Sequence, residues 1–184
     1  MTRNRYTATA IGLHWLIALV LIGLFGVGLY MTGLKLSPQK LQIYSWHKWA
    51  GVTVFLLVLA RIAWRIGHPP PPDPAGMPRW QVVAAHGVHH LLYLLMIAIP
   101  LSGWLMSSAK GFQTVWFGVL PLPDLLDKNK ELGDLLQAVH KFLNYSLAGL
   151  VLAHAGAALK HHLIDRDDVL ARMLPISRFL DKNR

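Results

Sequence analysis

Four long stretches of this chain are apolar and almost free of charge, and they constrain the fold more than any other feature of the sequence. A helix needs about 20 predominantly apolar residues to cross a bilayer. Hydrophobic residues make up 54% of the 184 and charged residues only 15%, a surplus that a globular fold in water does not need. The sequence therefore predicts an all-α, single-domain bundle of four transmembrane helices, over about residues 8–31, 43–66, 81–107 and 139–162.

The segments outside these helices differ in composition. Residues 68–78 are rich in proline, which removes a donor and clashes with the preceding turn, so they predict a stiff cytoplasmic linker. Residues 111–126 are apolar and aromatic but broken by glycine and proline, which indicates a segment lying on the mouth of the bundle as a lid. Residues 165–184 mix leucines with arginines and predict an interfacial segment with a short helix.

The distribution of basic residues predicts the orientation. The first apolar run, residues 6–34, is far longer than the core of a cleaved secretory signal, so it counts as a helix. With both termini cytoplasmic, eleven basic residues lie inside: Arg3, Arg5, Arg61, Arg65, Arg79, Lys160, Arg166, Arg172, Arg178, Lys182 and Arg184. Seven lie outside: Lys35, Lys40, Lys48, Lys110, Lys128, Lys130 and Lys141. This bias favours both termini inside, and with anionic lipid headgroups it explains the net charge of +9 without a nucleic-acid partner.

Histidines inside the spans are the candidate functional residues. His140 and His154 are fourteen residues apart, which is within about 40° of four full helical turns, so they share one face at two depths. An imidazole in hydrocarbon normally points into the bundle, where it finds a partner. His14 lies at the depth of His154, and His47 at the depth of His140. The sequence thus predicts one histidine pair near each membrane face.

Haem is the group that best fits a pair of facing imidazoles. A zinc ion wants three or four ligands, and no Asp, Glu or Cys lies in any predicted span. Haem iron needs only two axial ligands from the protein, and the absence of cysteine excludes covalent attachment and thiolate ligation. We therefore predict two stacked, non-covalent b haems. Gly12, Gly51 and Gly149 would let a porphyrin approach, although small residues also serve plain helix packing.

Several histidines and arginines have more than one interpretation. His86, His89 and His90 lie at the cytoplasmic end of the third helix, and spacing alone does not choose between His89 and His154 as a ligand. Arg61 and Arg65 are one turn apart and either bind haem propionates or anchor at lipid headgroups, which we favour for at least one of them. The remaining histidines, which we interpret as interfacial, are His68, His161 and His162.

A set of motifs resembles the bacterial cytochrome b561 family of small inner-membrane di-haem proteins. The set covers nearly the whole chain: IGLHWL, WHKWAG, AHGVHHLLYLLMIAIPLSGW, VHKFLNYSLAGLVLAH and LARMLP, with Arg61 and Arg65 before the proline-rich linker. The resemblance implies that His47 and His140 bind an outer haem and that His14 and His154 bind an inner one. It also implies a location in the bacterial inner membrane.

The resemblance implies two related functions. Stand-alone members are similar to superoxide oxidases, which oxidise superoxide on the periplasmic side and reduce ubiquinone. A similar four-helix core serves as the cytochrome subunit that links a dehydrogenase or hydrogenase partner to the quinone pool. We favour the first because this chain has only short loops. A third hypothesis, from another class, is a haem-free transporter or membrane scaffold.

The favoured function carries further expectations about residues. Beyond the haems we predict no catalytic residue. A quinone site is expected on the inner side, with His89 or His90 donating to a quinone carbonyl. Lys48, Lys110 and Lys141 adjoin the outer ends of the spans, where their positive charge would steer an anion such as superoxide.

Overall fold

A computed structural model describes residues 5–74 and 76–175 and contains four long helices. They are α1 (Ala8–Gly33), α2 (Pro38–Gly67), α3 (Arg79–Ala109) and α4 (Lys130–Lys160). Each is long and apolar enough to cross a membrane, which confirms the predicted all-α architecture of four spans. A π-helical turn, His161–Asp165, continues α4, and a 3₁₀ turn, Ala171–Met173, follows it.

Two helices begin earlier than predicted because their first turns are polar and capped. Helix α2 begins at Pro38 rather than near residue 43, with the Ser37 hydroxyl accepting from the Lys40 amide at 3.2 Å. Helix α4 begins at Lys130 rather than near residue 139, with the Asn129 side chain accepting from the Leu132 amide at 3.0 Å. Hydrophobicity marked only the apolar part of each helix, whereas the caps mark where it begins.

The bundle has two different ends. At one end, residues 110–129 connect α3 to α4 and contain a short antiparallel hairpin of β1 (Val115–Trp116) and β2 (Leu120–Pro121). At the other end, the proline-rich linker between α2 and α3 is non-helical over residues 68–74 and 76–78. We call these the hairpin end and the linker end.

The helices pack in chain order: α1 against α2, α2 against α3 and α3 against α4. One buried cluster joins α1 to α2 through Ile17, Val54 and Val58, and another joins α3 to α4 around Leu92, Leu95, Ile99 and Leu147. Helix α1 reaches α4 through long side chains, such as Phe25 against the Tyr145 ring at 5.8 Å. Many large apolar residues point outward, with Leu19 and Leu152 65% and 74% exposed, as lipid-facing positions require.

The segment after α4 differs from the predicted interfacial helix. Residues 166–175, which we call the C-terminal strap, form only the 3₁₀ turn and lie across the linker end. Arg172 donates from Nη1 to the Pro72 carbonyl at 2.6 Å, and Trp15 donates from Nε1 to the Met173 carbonyl at 2.8 Å. These contacts to two other segments replace the local bonds of a regular helix. The rest of the predicted segment, residues 176–184, lies outside the described residues.

Candidate functional site

His140 lies on α4 near the hairpin end and is held by two residues of α3. Its Nδ1 lies 3.1 Å from the Ile99 carbonyl and 2.9 Å from the Ser102 hydroxyl oxygen. A carbonyl only accepts, so Nδ1 carries the proton, and the Ser102 hydroxyl in turn donates to Ile99 at 2.7 Å. This arrangement leaves Nε2 for another partner. A metal-ligating histidine typically has its other ring nitrogen donating to such an acceptor.

His47 on α2 is the second imidazole at the hairpin end. Its ring is largely buried, and Nδ1 has no hydrogen-bond partner among the residues the structure describes. A buried polar atom without a partner costs about 1–3 kcal/mol, so such positions call for an explanation. Together with the free Nε2 of His140, this imidazole fits the ligand set of a bis-histidine haem.

Two glycines make room for these rings. A Cβ on Gly28 of α1 would lie 3.5 Å from Cε1 of His47, and one on Gly103 of α3 would lie 3.1 Å from Cε1 of His140. The glycines singled out from the sequence behave differently, because a Cβ on Gly12, Gly51 or Gly149 would meet no described atom within 4 Å. Gly149 lines an apolar groove between α3 and α4 with a volume of about 460 Å³.

Three histidines from three helices meet near the linker end. The ring centroids of His14 and His154 are 6.3 Å apart, with an interplanar angle of 67°. The His89 ring lies 5.2 Å from that of His154. Two imidazoles that hold one metal ion must lie close together, because each metal–nitrogen bond is only about 2 Å long. Both the His14 ring and the His89 ring lie close enough to the His154 ring for the pair to hold a cofactor.

Arg61 turns into the bundle beside this cluster, so of the two arginines only Arg65 remains a candidate for anchoring at lipid headgroups. It donates from Nη1 to the Ala10 carbonyl at 2.7 Å and from Nε to the Tyr93 hydroxyl at 3.0 Å. Its Nη2 lies 3.5 Å from Nδ1 of His14. The side chain therefore brings positive charge directly to the linker-end histidines.

Arg65 lines a small pocket next to Arg61. Tyr6 and Tyr93 add hydroxyls to the same pocket, and its other walls come from Ala10, Trp64, His68 and Pro70. Burial raises the pKa of the Tyr6 phenol, so this hydroxyl keeps its proton and remains a donor. Within residues 5–74 and 76–175 no ion pair joins Arg61 or Arg65 to a carboxylate. Two arginines with donor hydroxyls and no counter-charge are suited to an anionic group.

The three neighbouring histidines of α3 separate in the structure. Only His89 joins the linker-end cluster. His90 is exposed on the outside of the bundle, and His86 lies 3.5 Å from the carboxylate of Asp73 in the linker. Of the two predicted quinone contacts, His89 is therefore the one next to His154.

The three predicted steering lysines also differ. Lys48 donates to the Ser107 hydroxyl at 2.9 Å and to the carbonyls of Phe112 and Gln113 at 3.0 and 3.4 Å. Lys110 pairs with the Asp134 carboxylate at 3.3 Å and with Gln137. Lys141 is exposed, and the described part of the chain gives it neither an ion pair nor a hydrogen bond. Lys48 thus fastens residues 110–129, which we call the hairpin segment, to α2. Lys141 is the one of the three lysines whose charge has no partner in the described part of the chain.

The hairpin segment lies against α2 just beyond His47, in keeping with the predicted position at the mouth. Trp49 donates from Nε1 to the Val115 carbonyl at 2.6 Å, and Trp116 donates back to the Trp49 carbonyl at 3.2 Å. Phe117 and Gly118 make the turn with positive φ angles of 51° and 73°.

Sequence reasoning missed Ser102, Gly103, Gly28 and Tyr93. The run PLSGW offered a signal for two of them, because it places a hydroxyl next to a glycine inside an apolar helix. Nothing in the local sequence singles out Gly28 or Tyr93, whose roles depend on which helices face each other.

Comparison with known proteins places this architecture in a family. The family model described as prokaryotic cytochrome b561 matches residues 5–175. Cytochrome b561 homolog 2 of Escherichia coli (strain K12) is 37% identical over 175 residues, covering 94% of this chain and 93% of the relative. Cytochrome b561 homolog 1 of the same organism is 32% identical over 176 residues, covering 94% and 98%. A Yersinia pestis protein named probable superoxide oxidase CybB is 31% identical over 178 residues, covering 95% and 98%. This chain therefore belongs to the prokaryotic cytochrome b561 family of membrane electron-transfer cytochromes.

Proposed function

We propose that this protein is a di-haem b cytochrome of the bacterial inner membrane that oxidises superoxide at the periplasmic side and reduces ubiquinone. The observation that carries the proposal is the pair of interior histidine groups, one at each end of the bundle, with α4 contributing to both. The name of the Yersinia relative supports superoxide as the electron donor. The acceptor is ubiquinone, as in the superoxide oxidases that the sequence resembles.

His47 and His140 would hold one haem at the hairpin end, and His14 and His154 would hold the other at the linker end. When bound, haem supplies an iron that gains and loses one electron reversibly. Ser102 and the Ile99 carbonyl keep the His140 proton on Nδ1, so that Nε2 is the ligand atom. Arg61 and Arg65 supply the charge that propionates at the linker end need.

The proposed reaction balances with two superoxide anions for each ubiquinone. Each superoxide gives up one electron and leaves as dioxygen, while ubiquinone takes up two electrons and two protons to become the quinol. The bias of basic residues supports a cytoplasmic linker end and a periplasmic hairpin end. Superoxide would then be oxidised next to His47 and His140, and Lys141 with its neighbours Lys48 and Lys110 would favour the approach of an anion.

We place the quinone site at the linker end. His89 stands beside His154 and offers a ring N–H for a quinone carbonyl. His90, the other predicted contact, faces away from this cluster and would take part only if the quinone approached from the outer face of α3.

The test is a haem and turnover analysis of the purified protein. We expect two haems per chain, all extracted by acid-acetone, and reduction of both by superoxide followed by quinol formation when ubiquinone is present. The matched control is His47→Ala, which should keep the linker-end haem and lose rapid reduction by superoxide. A colourless protein would refute the cytochrome assignment of the sites. Two haems reduced by superoxide no faster than in His47→Ala, together with a co-purifying dehydrogenase or hydrogenase, would replace the enzyme by an electron-transfer subunit.

A further inference from the structure

Three metal-ligating side chains meet where α4 passes into the C-terminal strap. They are His161, Asp165 and Asp167, and one donor atom from each lies within 4.8 Å of the others. The group stands two helical turns beyond His154, outside both interior histidine groups. The proposed electron transfer makes no use of it.

We propose that His161, Asp165 and Asp167 bind one divalent transition-metal ion. Nδ1 of His161 lies 2.6 Å from Oδ2 of Asp167 and 3.2 Å from Oδ2 of Asp165. Zinc bonds to nitrogen and oxygen are about 2.0–2.2 Å long, so neighbouring ligand atoms in a tetrahedral or octahedral site are about 3.0–3.5 Å apart. The two separations from His161 need a shift of only a few tenths of an ångström to admit an ion, and all three donor atoms lie within 4.8 Å of one another.

One hydrogen on His161 cannot satisfy both carboxylates of this cluster. The Nδ1 position of His161 carries at most one hydrogen, yet two carboxylate oxygens converge on it. Either carboxylate can accept that hydrogen well only at the expense of the other. A divalent cation bound to Nδ1 would be shared by both oxygens without this conflict, and it would offset the two negative charges.

The backbone fixes the three ligands in place. The π-helical turn puts His161 and Asp165 on one side, and Arg166, at φ 53°, reverses the chain so that the Asp167 amide donates to the His161 carbonyl at 3.1 Å. Single π-helical turns often occur at functional sites. The side chains of His161 and Asp167 are 15% and 22% exposed, whereas Asp165 is exposed at the surface, where an ion could enter.

Lys160 currently supplies a cation to this cluster. Its ammonium group contacts both oxygens of Asp165, at 2.9 and 2.7 Å. This side chain is 44% exposed, so it can move to solvent when a metal ion takes the carboxylate. Competition from Lys160 will make the affinity moderate rather than extreme.

The ligand set defines the class of ion. One imidazole and two carboxylates suit Zn²⁺, and they suit Ca²⁺ or Mg²⁺ less well because those ions prefer oxygen alone. Mn²⁺ is a harder ion than Zn²⁺ and serves here as a paramagnetic probe of the two carboxylates. A bound ion would fasten the end of α4 to the first residues of the strap, which lies across the linker end.

Metal binding can be measured on the haem-loaded, full-length protein in detergent after removal of its affinity tag and treatment with a chelator. We expect one Zn²⁺ per chain by calorimetry and one Mn²⁺ signal by electron paramagnetic resonance. His161→Ala and Asp167→Asn should weaken Zn²⁺ binding by more than the roughly 10- to 100-fold that loss of an outer-shell partner costs. Their haem spectra report whether the variants are folded.

Two neighbouring residues give matched controls. His162→Ala removes the adjacent exposed imidazole, and Asp168→Asn removes the adjacent carboxylate, which pairs with Arg172 at 2.9 Å. Both should bind Zn²⁺ as the parent does. Zn²⁺ should also slow tryptic cleavage after Arg166 in the parent and both controls but not in Asp167→Asn. The proposal is overturned if no stoichiometric ion binds, or if Asp167→Asn and His161→Ala bind it as tightly as the controls. Neither result depends on superoxide or quinone chemistry.

Discussion

The Nδ1 proton of His140 is shared between the Ile99 carbonyl and the Ser102 hydroxyl oxygen. Acceptors at this nitrogen make an imidazole more electron-rich, and an electron-rich axial ligand stabilises ferric over ferrous iron. Ser102 therefore does more than fill space in α3. It is a positioning residue for the hairpin-end site.

Ser102→Ala should raise the midpoint potential of one haem, because His140 loses one of its two acceptors and donates less charge to iron. We expect a rise of up to about 60 mV, the equivalent of a tenfold change for a one-electron couple. Redox titration by optical spectroscopy measures it. Ser146→Ala is the matched control, since its hydroxyl donates only to the Phe142 carbonyl of its own helix at 3.0 Å. Equal potentials in the two variants would contradict the role given to Ser102.

Adding one methyl group at Gly103 or at Gly28 tests how closely each glycine packs against a histidine ring. A Cβ at Gly103 would approach the His140 ring to 3.1 Å, closer than ordinary contact, whereas one at Gly28 would lie 3.5 Å from the His47 ring. Gly103→Ala should displace His140 and lower the occupancy of the hairpin-end haem, and Gly28→Ala should leave it near the parental level. Haem quantitation on both variants tests this, and full occupancy in Gly103→Ala would show that His140 has room to move.

At the scale of elements, α4 contributes one histidine to each end of the bundle. His140→Ala or His47→Ala should remove the hairpin-end haem and spare most of the linker-end haem, while His154→Ala or His14→Ala should do the reverse. Low-temperature optical spectra and haem content separate the two sites. His89→Ala is the matched control, because its ring lies in the linker-end cluster but at 5.2 Å from His154. Loss of a low-spin spectrum in His89→Ala would reassign the ligand.

The sequence predicted the helices well and the short connecting elements poorly. Lipid imposes one composition on any span, so four apolar runs were enough to predict four helices. The hairpin segment was predicted at the bundle mouth, but its strand pairs depend on contacts with Trp49, far away in the chain. The strap depends in the same way on the Pro72 carbonyl and the Trp15 indole, partners that no local pattern reveals.

The positions of the predicted site residues relative to one another could be foreseen only in part, for the same reason. Helical periodicity and depth brought out His14 and His154, whose rings do come together. The same reasoning could not tell that Lys48 bonds to the Ser107 hydroxyl and to two carbonyls of the segment after α3. Nor could it tell that His90 faces outward while His89 faces inward. Those outcomes depend on the rotation of each helix about its own axis. A single sequence gives that rotation only through the apolar face, and a span surrounded by lipid has apolar residues on nearly every face.

At the scale of the whole molecule, charge at the hairpin end should influence how fast an anion arrives. Lys141→Met should slow haem reduction by superoxide severalfold at low ionic strength, and the deficit should vanish as salt rises and the screening length falls below about 10 Å. Lys48→Met should leave a deficit at all salt concentrations, because this lysine also bonds the segment that covers the bundle. Stopped-flow measurements across a salt series test both. No deficit in Lys141→Met at low ionic strength, or a deficit that stays the same as salt rises, would argue against steering.

The order in which the helices pack has a consequence for biosynthesis. Neighbouring helices in the chain are neighbours in the bundle, whereas the histidine pairs join α1 and α2 to α4, the last helix to leave the ribosome. If these pairs are ligands as proposed, His14 and His47 would lack the second histidine of each pair until α4 has been inserted. Haem could then be bound only by a chain whose four helices have all been inserted. Under the proposed ligand assignment, a nascent chain that stalls before α4 would lack one histidine of each pair and so could complete neither site.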